Sequence, residues 1–314
     1  VFLATVLITG GAGFLGSHLC DAFIKRQYDV IAVDNLASGR RENVAHLVDH
    51  PQFELVQADL RDRPELDREV DLILHFASLA SPPAYLAQPL MTLETGSFGT
   101  HWCIDRALKN DARMIVASTS EVYGDPAVHP QPETYWGNVN PIGPRSVYDE
   151  AKRYAEAATM AYRREMGLRS GIIRIFNTYG PRMRADDGRV VTNFIRQAIA
   201  NEPITIFGKG DQTRSFCYVD DLVRGIVAMA DSDLAGPINL GNPTEHTIAE
   251  LAAIVVEMMG SSSPIEFHDL PVDDPTRRRP DIARAKAELD WSPSIPLAEG
   301  LRRTADYFLG NENA

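Results

Sequence analysis

The sequence predicts an α/β protein: a doubly wound parallel sheet with a smaller C-terminal lobe. Three observations carry that expectation. Short β-rich runs alternate with helical periodicity through the first half of the 314 residues; a strand runs straight into glycines at positions 10, 13 and 16; and shorter elements separated by turn signals fill the remainder. Strand–helix alternation makes a parallel sheet because each helix carries the chain back across one face.

In chain order, residues 6–9, 29–34, 53–58, 71–75 and 113–118 are aliphatic, β-branched runs expected to form buried parallel strands. Residues 14–25, 42–48 and 92–109 lie between them with the helical period. Residues 148–165, rich in Ala, Glu and Arg, predict a further helix, and 171–175 a sixth strand. Beyond Asn177, turn signals cluster at 179–181, 208–210, 236–237, 241–243 and 273–275. Helices are expected there at 220–230, 248–259, 282–289 and 297–308. The expected division is 1–177 for the sheet domain and 178–314 mainly for the lobe.

A formal net charge of -12 excludes a general binder of nucleic acid or membrane surface, since either needs a basic face. A few arginines can still converge on an anionic ligand. Cys20, Cys103 and Cys217 have no paired spacing, so neither a metal site nor a disulfide framework is expected, and the setting is reducing and cytoplasmic. No apolar run approaches the ~20 residues that span a bilayer. Val1 leads directly into a strand, which predicts no signal peptide.

From Val6 to Gly16 the chain reads as strand, glycine turn and helix start. Gly10 permits the tight turn and Gly13 lets the backbone approach a pyrophosphate. Gly16 lets the helix, which opens with Phe14 and Leu15, pack on the sheet. Free N–H groups at that helix start attract phosphate. Asp34 ends the next strand, where it would grip a ribose diol and repel a 2′-phosphate; Asn35 follows. This is a Rossmann arrangement, and NAD is favoured, with Arg40 and Arg41 the residues that would argue for NADP. Asp59, followed by Leu60, ends the third strand as either an adenine contact or a solvated carboxylate.

Tyr148 and Lys152 are one helical turn apart and share a face. An ammonium and a positive nicotinamide would both favour phenolate, so the phenol is expected to fall from ~10 towards neutrality and accept a hydroxyl proton. Thr119, in Ser118-Thr119-Ser120 at the end of the fifth strand, would hydrogen-bond the same substrate oxygen.

Taken together, these features resemble the extended short-chain dehydrogenases that act on nucleotide sugars. Residues 81–85 (Ser-Pro-Pro-Ala-Tyr), 118–126, 140–150 and 273–281 narrow the resemblance to UDP-glucuronate decarboxylases, the UDP-xylose synthases. That resemblance implies oxidation at C4, loss of the C5 carboxylate, and return of the hydride so that no reductant is consumed. The order of steps is physically sound. Oxidising C4 creates a β-keto acid, and its carbonyl accepts the electrons that carbon dioxide leaves behind.

The family also implies roles for particular residues. Glu121 would position a water or relay the C5 proton, or else act as an orienting residue in a strand-end ion pair. Similar 4,6-dehydratases place an Asp-Glu pair after the threonine; Ser120 stands at the Asp position here, which disfavours dehydration. Ser120, Asn177, Arg214 and Arg278 would meet the sugar nucleotide, with Arg277 and Arg279 a solvated face and Arg182 undecided. Tyr85 would line the sugar pocket or pack as a core aromatic. The helices at 92–109 and 148–165 resemble the pair through which the family forms a homodimer as a four-helix bundle.

The pattern has two departures: Gly96 stands where the family usually has Asn, and Leu79 where it often has Pro. Two rival activities remain open. A 4-epimerase on a uronic acid or hexose shares the C4 oxidation. A non-catalytic NAD-binding regulator would keep the fold without needing Thr119, Tyr148 and Lys152 together.

Overall fold

The computed structural model describes residues 3–269 and 277–312. The turn expected at 273–275, and the 273–281 stretch as far as residue 276, lie outside the described residues. Six strands of the first half, β1 (Thr5–Thr9), β2 (Asp29–Asp34), β3 (Phe53–Gln57), β4 (Leu72–His75), β5 (Arg113–Thr119) and β6 (Ser170–Ile175), join a seventh, β7 (Ile238–Leu240). Their order is β7-β6-β5-β4-β1-β2-β3, and every pairing is parallel. The order reverses between β1 and β4, so a crevice opens at the carboxyl ends of these strands.

Both faces of the sheet are covered, which is why the inner strands β1, β4 and β5 are buried along their whole length, whereas edge strand β3 exposes Glu54 and Gln57. Along β1, Val6 and Ile8 pack with Leu19 and Phe23 of α1 (Phe14–Lys25). Leu7 points the other way, towards Ile104 of α2 (Thr100–Asn110) and Ala155 of α3 (Ser146–Met166). A fourth helix, α4 (Val219–Asp231), joins the α1 layer through Leu222, Ile226 and Met229.

Two expected helices differ from the expectation. Residues 42–48 form a 3₁₀ turn, Arg41–Leu47. The long helix at 92–109 is interrupted: an α-helix at Pro89–Glu94 passes through a π turn at Thr95–Gly99 before α2 begins. Two glycines weaken that stretch, and the Ser97 hydroxyl bonds back to the Leu93 carbonyl at 2.8 Å, a local competitor of regular helix.

The second half builds its own core, in which Phe194, Ile206, Leu251 and Leu301 are buried. Helices Val190–Ala200, Ile248–Met259 and Leu297–Glu312 enclose it. A small sheet places Thr213–Ser215 between Glu245–Thr247 and Arg277–Arg278. Residues beyond 178 also return to the main sheet as β7 and α4. Among the described residues no helix is long and apolar enough to cross a membrane.

Candidate active site

A cavity of about 760 Å³ occupies the crevice, and every site residue singled out from the sequence lines it. That volume lies within the usual range of small-molecule sites. At its floor Gly10 turns with φ +71°, and a Cβ there would stand 3.0 Å from the backbone of Ala77. A Cβ on Gly16 would fall 2.0 Å from the Gly10 carbonyl oxygen. The loop therefore has no room for side chains, and its bare backbone faces the cavity beside the start of α1. That cradle fits a dinucleotide pyrophosphate.

Asp34 is buried, with Oδ2 accepting the Ala12 N–H at 3.0 Å and Oδ1 that of Leu36 at 2.8 Å. The Gly13 N–H also lies close enough to stabilise the carboxylate, which keeps some accepting capacity for a ribose diol. Burial raises its pKa, and the backbone N–H groups oppose that rise. Arg41 is engaged by Gln57 on the surface. Asp59 accepts from Asn35 Nδ2 at 2.8 Å and from Arg61 Nη2 at 2.9 Å, and the Arg61 bond foremost holds its carboxyl down at about 2.

Tyr148 and Lys152 lie buried on the inner face of α3. The Thr119 hydroxyl lies close enough to the Tyr148 phenol to lower its pKa. Its ring stacks on Tyr85, with centroids 5.2 Å apart and planes 6° from parallel. Lys152 Nζ donates to the Ala117 carbonyl at 2.9 Å and stands 5.8 Å from the Tyr148 ring centroid. The expected fall of the phenol towards neutrality is not a property of the protein alone. Burial pushes Tyr148 up to about 12, and the same desolvation brings Lys152 down to about 8. A cationic nicotinamide is the charge left to draw the phenol down.

Glu121 bridges two arginines. Its Oε2 accepts from Arg145 Nη2 at 2.9 Å and its Oε1 from Arg278 Nη1 at 2.8 Å. Burial alone would raise its pKa, but Arg278 and Arg145 outweigh that and hold the carboxyl at about 2. Glu121 is thus an anion that accepts hydrogen bonds and has no proton to give. Arg278, only 1% exposed, also donates to Ser120 Oγ and to the Gly124 carbonyl, each at 3.0 Å. Ser118, also in the cavity lining, donates its hydroxyl proton to Glu156 at 2.6 Å.

Arg214 and Arg278 are register partners on neighbouring parallel strands, which brings both to one wall of the cavity. Asn177 lines the cavity while its carbonyl accepts the Cys217 N–H at 2.9 Å. Arg182 pairs with Asp21 at 2.8 Å and Arg279 with Glu245 at 3.6 Å, while Arg277 is exposed. Among the described residues no group of three or more His, Cys, Asp or Glu side chains converges to hold a metal ion.

Three residues of this site had no role assigned from the sequence, although two of them lie in the 140–150 stretch that carries the resemblance. Arg145 sits one turn before Tyr148, and its position three residues ahead of the phenol was the available signal. Asp149 is buried, and burial followed by the charge of Glu121 raises its carboxyl to about 7. Arg189, paired with Asp187, lies close enough to Tyr148 to lower the phenol's pKa, and nothing local in the sequence marks it.

The fold and site define a dinucleotide-dependent enzyme architecture of the Tyr/Lys type. Residues 6–241 match the family model described as the NAD dependent epimerase/dehydratase family, and the chain belongs to that family. It is 51% identical to UDP-glucuronic acid decarboxylase 1 of Xenopus tropicalis over 96% of this chain and 72% of the relative. It is 52% identical to UDP-glucuronic acid decarboxylase 1 of Arabidopsis thaliana, over 96% of this chain and 69% of that one. Among solved structures, UDP-glucose 4-epimerase of Thermotoga maritima superposes with a TM-score of 0.91 at 29% identity, covering 98% of this chain and 99% of the other. UDP-glucuronic acid 4-epimerase of Bacillus cereus, in complex with UDP-glucuronic acid and NAD, gives 0.86 at 27% identity over 98% and 99% of the two chains.

Proposed function

We propose that this protein decarboxylates UDP-glucuronate to UDP-xylose through a 4-keto sugar, with NAD held against the glycine loop and Asp34. The observation that carries the reading is identity of about half to UDP-glucuronic acid decarboxylases along 96% of the chain. The 4-epimerases among the solved structures reach 30% at most.

Bound NAD supplies the oxidation at C4 and its later reversal. Tyr148 takes the proton of the C4 hydroxyl, and Thr119 holds that oxygen in line with the phenol. As carbon dioxide leaves, electrons pass onto the C4 oxygen, and hydrogen bonds from Thr119 and Tyr148 stabilise the enolate. Lys152 keeps a positive charge beneath the ring of Tyr148. Glu121, fixed as an anion by Arg145 and Arg278, orients the sugar or a water and does not act as the acid. The C5 proton then comes from water. Tyr85, Ser120, Asn177, Arg214 and Arg278 bind the sugar nucleotide, while Asp59 and Leu60 border the adenine.

The protein acts as a homodimer, built on the exposed sides of Pro89–Glu94, α2 and α3, in a reducing compartment such as the cytoplasm, where three buried free thiols persist. The activity test is mass spectrometry of the product from UDP-glucuronate and from UDP-galacturonate, without added NAD. Loss of one carbon dioxide supports the reading. An isomer of unchanged mass assigns a 4-epimerase instead, and no product from either sugar refutes both.

A further inference from the structure

We propose that His75 is a positioning residue, fixed as its neutral Nε2–H tautomer in a one-way hydrogen-bond chain that ties the glycine loop to the helix bearing Tyr148 and Lys152. The direction of each link follows from valence. Thr9 Oγ1 accepts the N–H groups of Phe76 and Ala77, each at 3.1 Å. A hydroxyl oxygen has two lone pairs. Both are taken, so Thr9 can offer only its proton to His75 Nδ1, 2.9 Å away. Nδ1 is therefore an acceptor, and the thiol of Cys103, 3.4 Å from it, can only share its single lone pair with Thr9.

On the other side of the ring, Thr100 Oγ1 lies 2.7 Å from the Gly96 carbonyl oxygen, which can only accept. The Thr100 proton points there, and its oxygen accepts from His75 Nε2 at 3.1 Å. The imidazole thus carries one proton, on Nε2. Burial first and the charge of Lys152 second lower its pKa to about 3. A second proton would set Nδ1–H against the Thr9 hydroxyl proton and place a cation near Lys152. The groups that face the ring are Thr9 from β1, Thr100 and Cys103 from α2, and Lys152 from α3.

Each end of the chain meets a contact with no spare room. Ala77, held by Thr9, is the residue that a Cβ on Gly10 would approach to 3.0 Å. At the far end, a Cβ on Gly96 would stand 2.6 Å from the Cβ of Ala151, the residue before Lys152. The chain therefore couples the turn that cradles a dinucleotide to the backbone that carries the catalytic pair. Thr9, His75 and Thr100 do not line the cavity, so they act through the groups that do.

The full-length protein decides the matter by two measurements. Nitrogen-15 NMR of selectively labelled histidine should give His75 as neutral Nε2–H, unchanged between about pH 5 and 8, where an exposed histidine titrates. A Nδ1–H or charged ring overturns the proposal. In turnover of UDP-glucuronate, Thr100→Val should lower kcat about tenfold, the equivalent of one hydrogen bond, with KM unchanged. Thr100→Ser, which keeps the hydroxyl, should restore the rate. An unaltered kcat in Thr100→Val, or a serine variant as slow as the valine one, also overturns it. The NMR measurement needs no substrate and no variant. A wild-type protein inert towards UDP-glucuronate would refute the proposed decarboxylation and leave the tautomer to decide this inference alone.

Discussion

Glu121 accepts a hydrogen bond from Arg278 at 2.8 Å, and the guanidinium it neutralises is 1% exposed. Removing one member of such a buried pair strands the other. Glu121→Gln should therefore destabilise the fold by about 3 kcal/mol or more, read from urea melts. Glu121→Leu with Arg278→Met should recover most of that stability and still lack turnover. The sign of the pH effect follows from the depressed pKa. Glu121 goes from 4.5 to about 2 on folding, so its contribution is complete above 4.5 and lost as pH falls through about 2. The glutamine variant should lose this part of the acid dependence.

Asp149 behaves in the opposite sense. Its carboxyl rises from 3.8 to about 7, chiefly by burial, so the native state binds the extra proton between those values. Stability from this residue falls as pH rises through that window, because the unfolded chain gives up a proton that burial and Glu121 oblige the native state to keep. Asp149→Asn should raise the melting temperature above about pH 7, with the gain fading below about 4. A gain that does not vary with pH would show that packing, not charge, sets the effect.

Tyr148 and Lys152 should separate chemistry from folding. Tyr148→Phe removes the proton acceptor, and turnover should drop by about a thousandfold or more while bound NAD is retained. Lys152 is buried with its pKa lowered to about 8 by desolvation, so Lys152→Met should be inactive yet at least as stable at neutral pH. Stripping NAD should move the Tyr148 phenol back up to about 12. Ultraviolet difference titration of wild type against Tyr148→Phe, with and without the dinucleotide, measures that shift.

Much of this architecture was legible because local chemistry dictates it. The glycine loop and α1 follow from residues within a short stretch, and α1 spans Phe14–Lys25 as the periodicity requires. The phenol and ammonium share a helix face because four residues make about one turn. What stayed hidden depends on contacts between distant residues. β7 is three residues long and is a strand only because β6 offers it a parallel partner. The bridge from Arg145 through Glu121 to Arg278 joins three separated segments, and no spacing rule reaches across 157 positions from Glu121 to Arg278. The phenol's elevated pKa likewise reflects burial, which sequence spacing does not measure.

The interrupted helix at 89–110 makes its own prediction through Gly96. With its Cβ position 2.6 Å from Ala151 Cβ, one of the two residues has to lack a side chain. Gly96→Ala should destabilise by about 1–3 kcal/mol as an overpacked contact, despite alanine's better helix propensity. Ala151→Gly in the same chain should relieve most of that loss. A double-mutant cycle measures the coupling, and simple additivity would show that the helices yield freely.

The proposed homodimer rests on apolar side chains that the single chain leaves in water. Leu90 is 72% exposed, Phe98 54% and Tyr154 43%, and they project from the Pro89–Glu94 helix, the π turn and α3. His101 Nε2 and the Tyr154 hydroxyl, 2.6 Å apart, join α2 to α3 on the same side. Exposed apolar residues clustered on neighbouring helices are costly to hydrate, and a two-fold axis lets one patch cover its own copy. Light scattering should give the mass of two chains for the wild type. Leu90→Arg with Phe98→Arg should give one, because each pair of facing copies then meets like charge. A wild type that runs as one chain at micromolar concentration, or a double variant that stays paired, places the contact elsewhere.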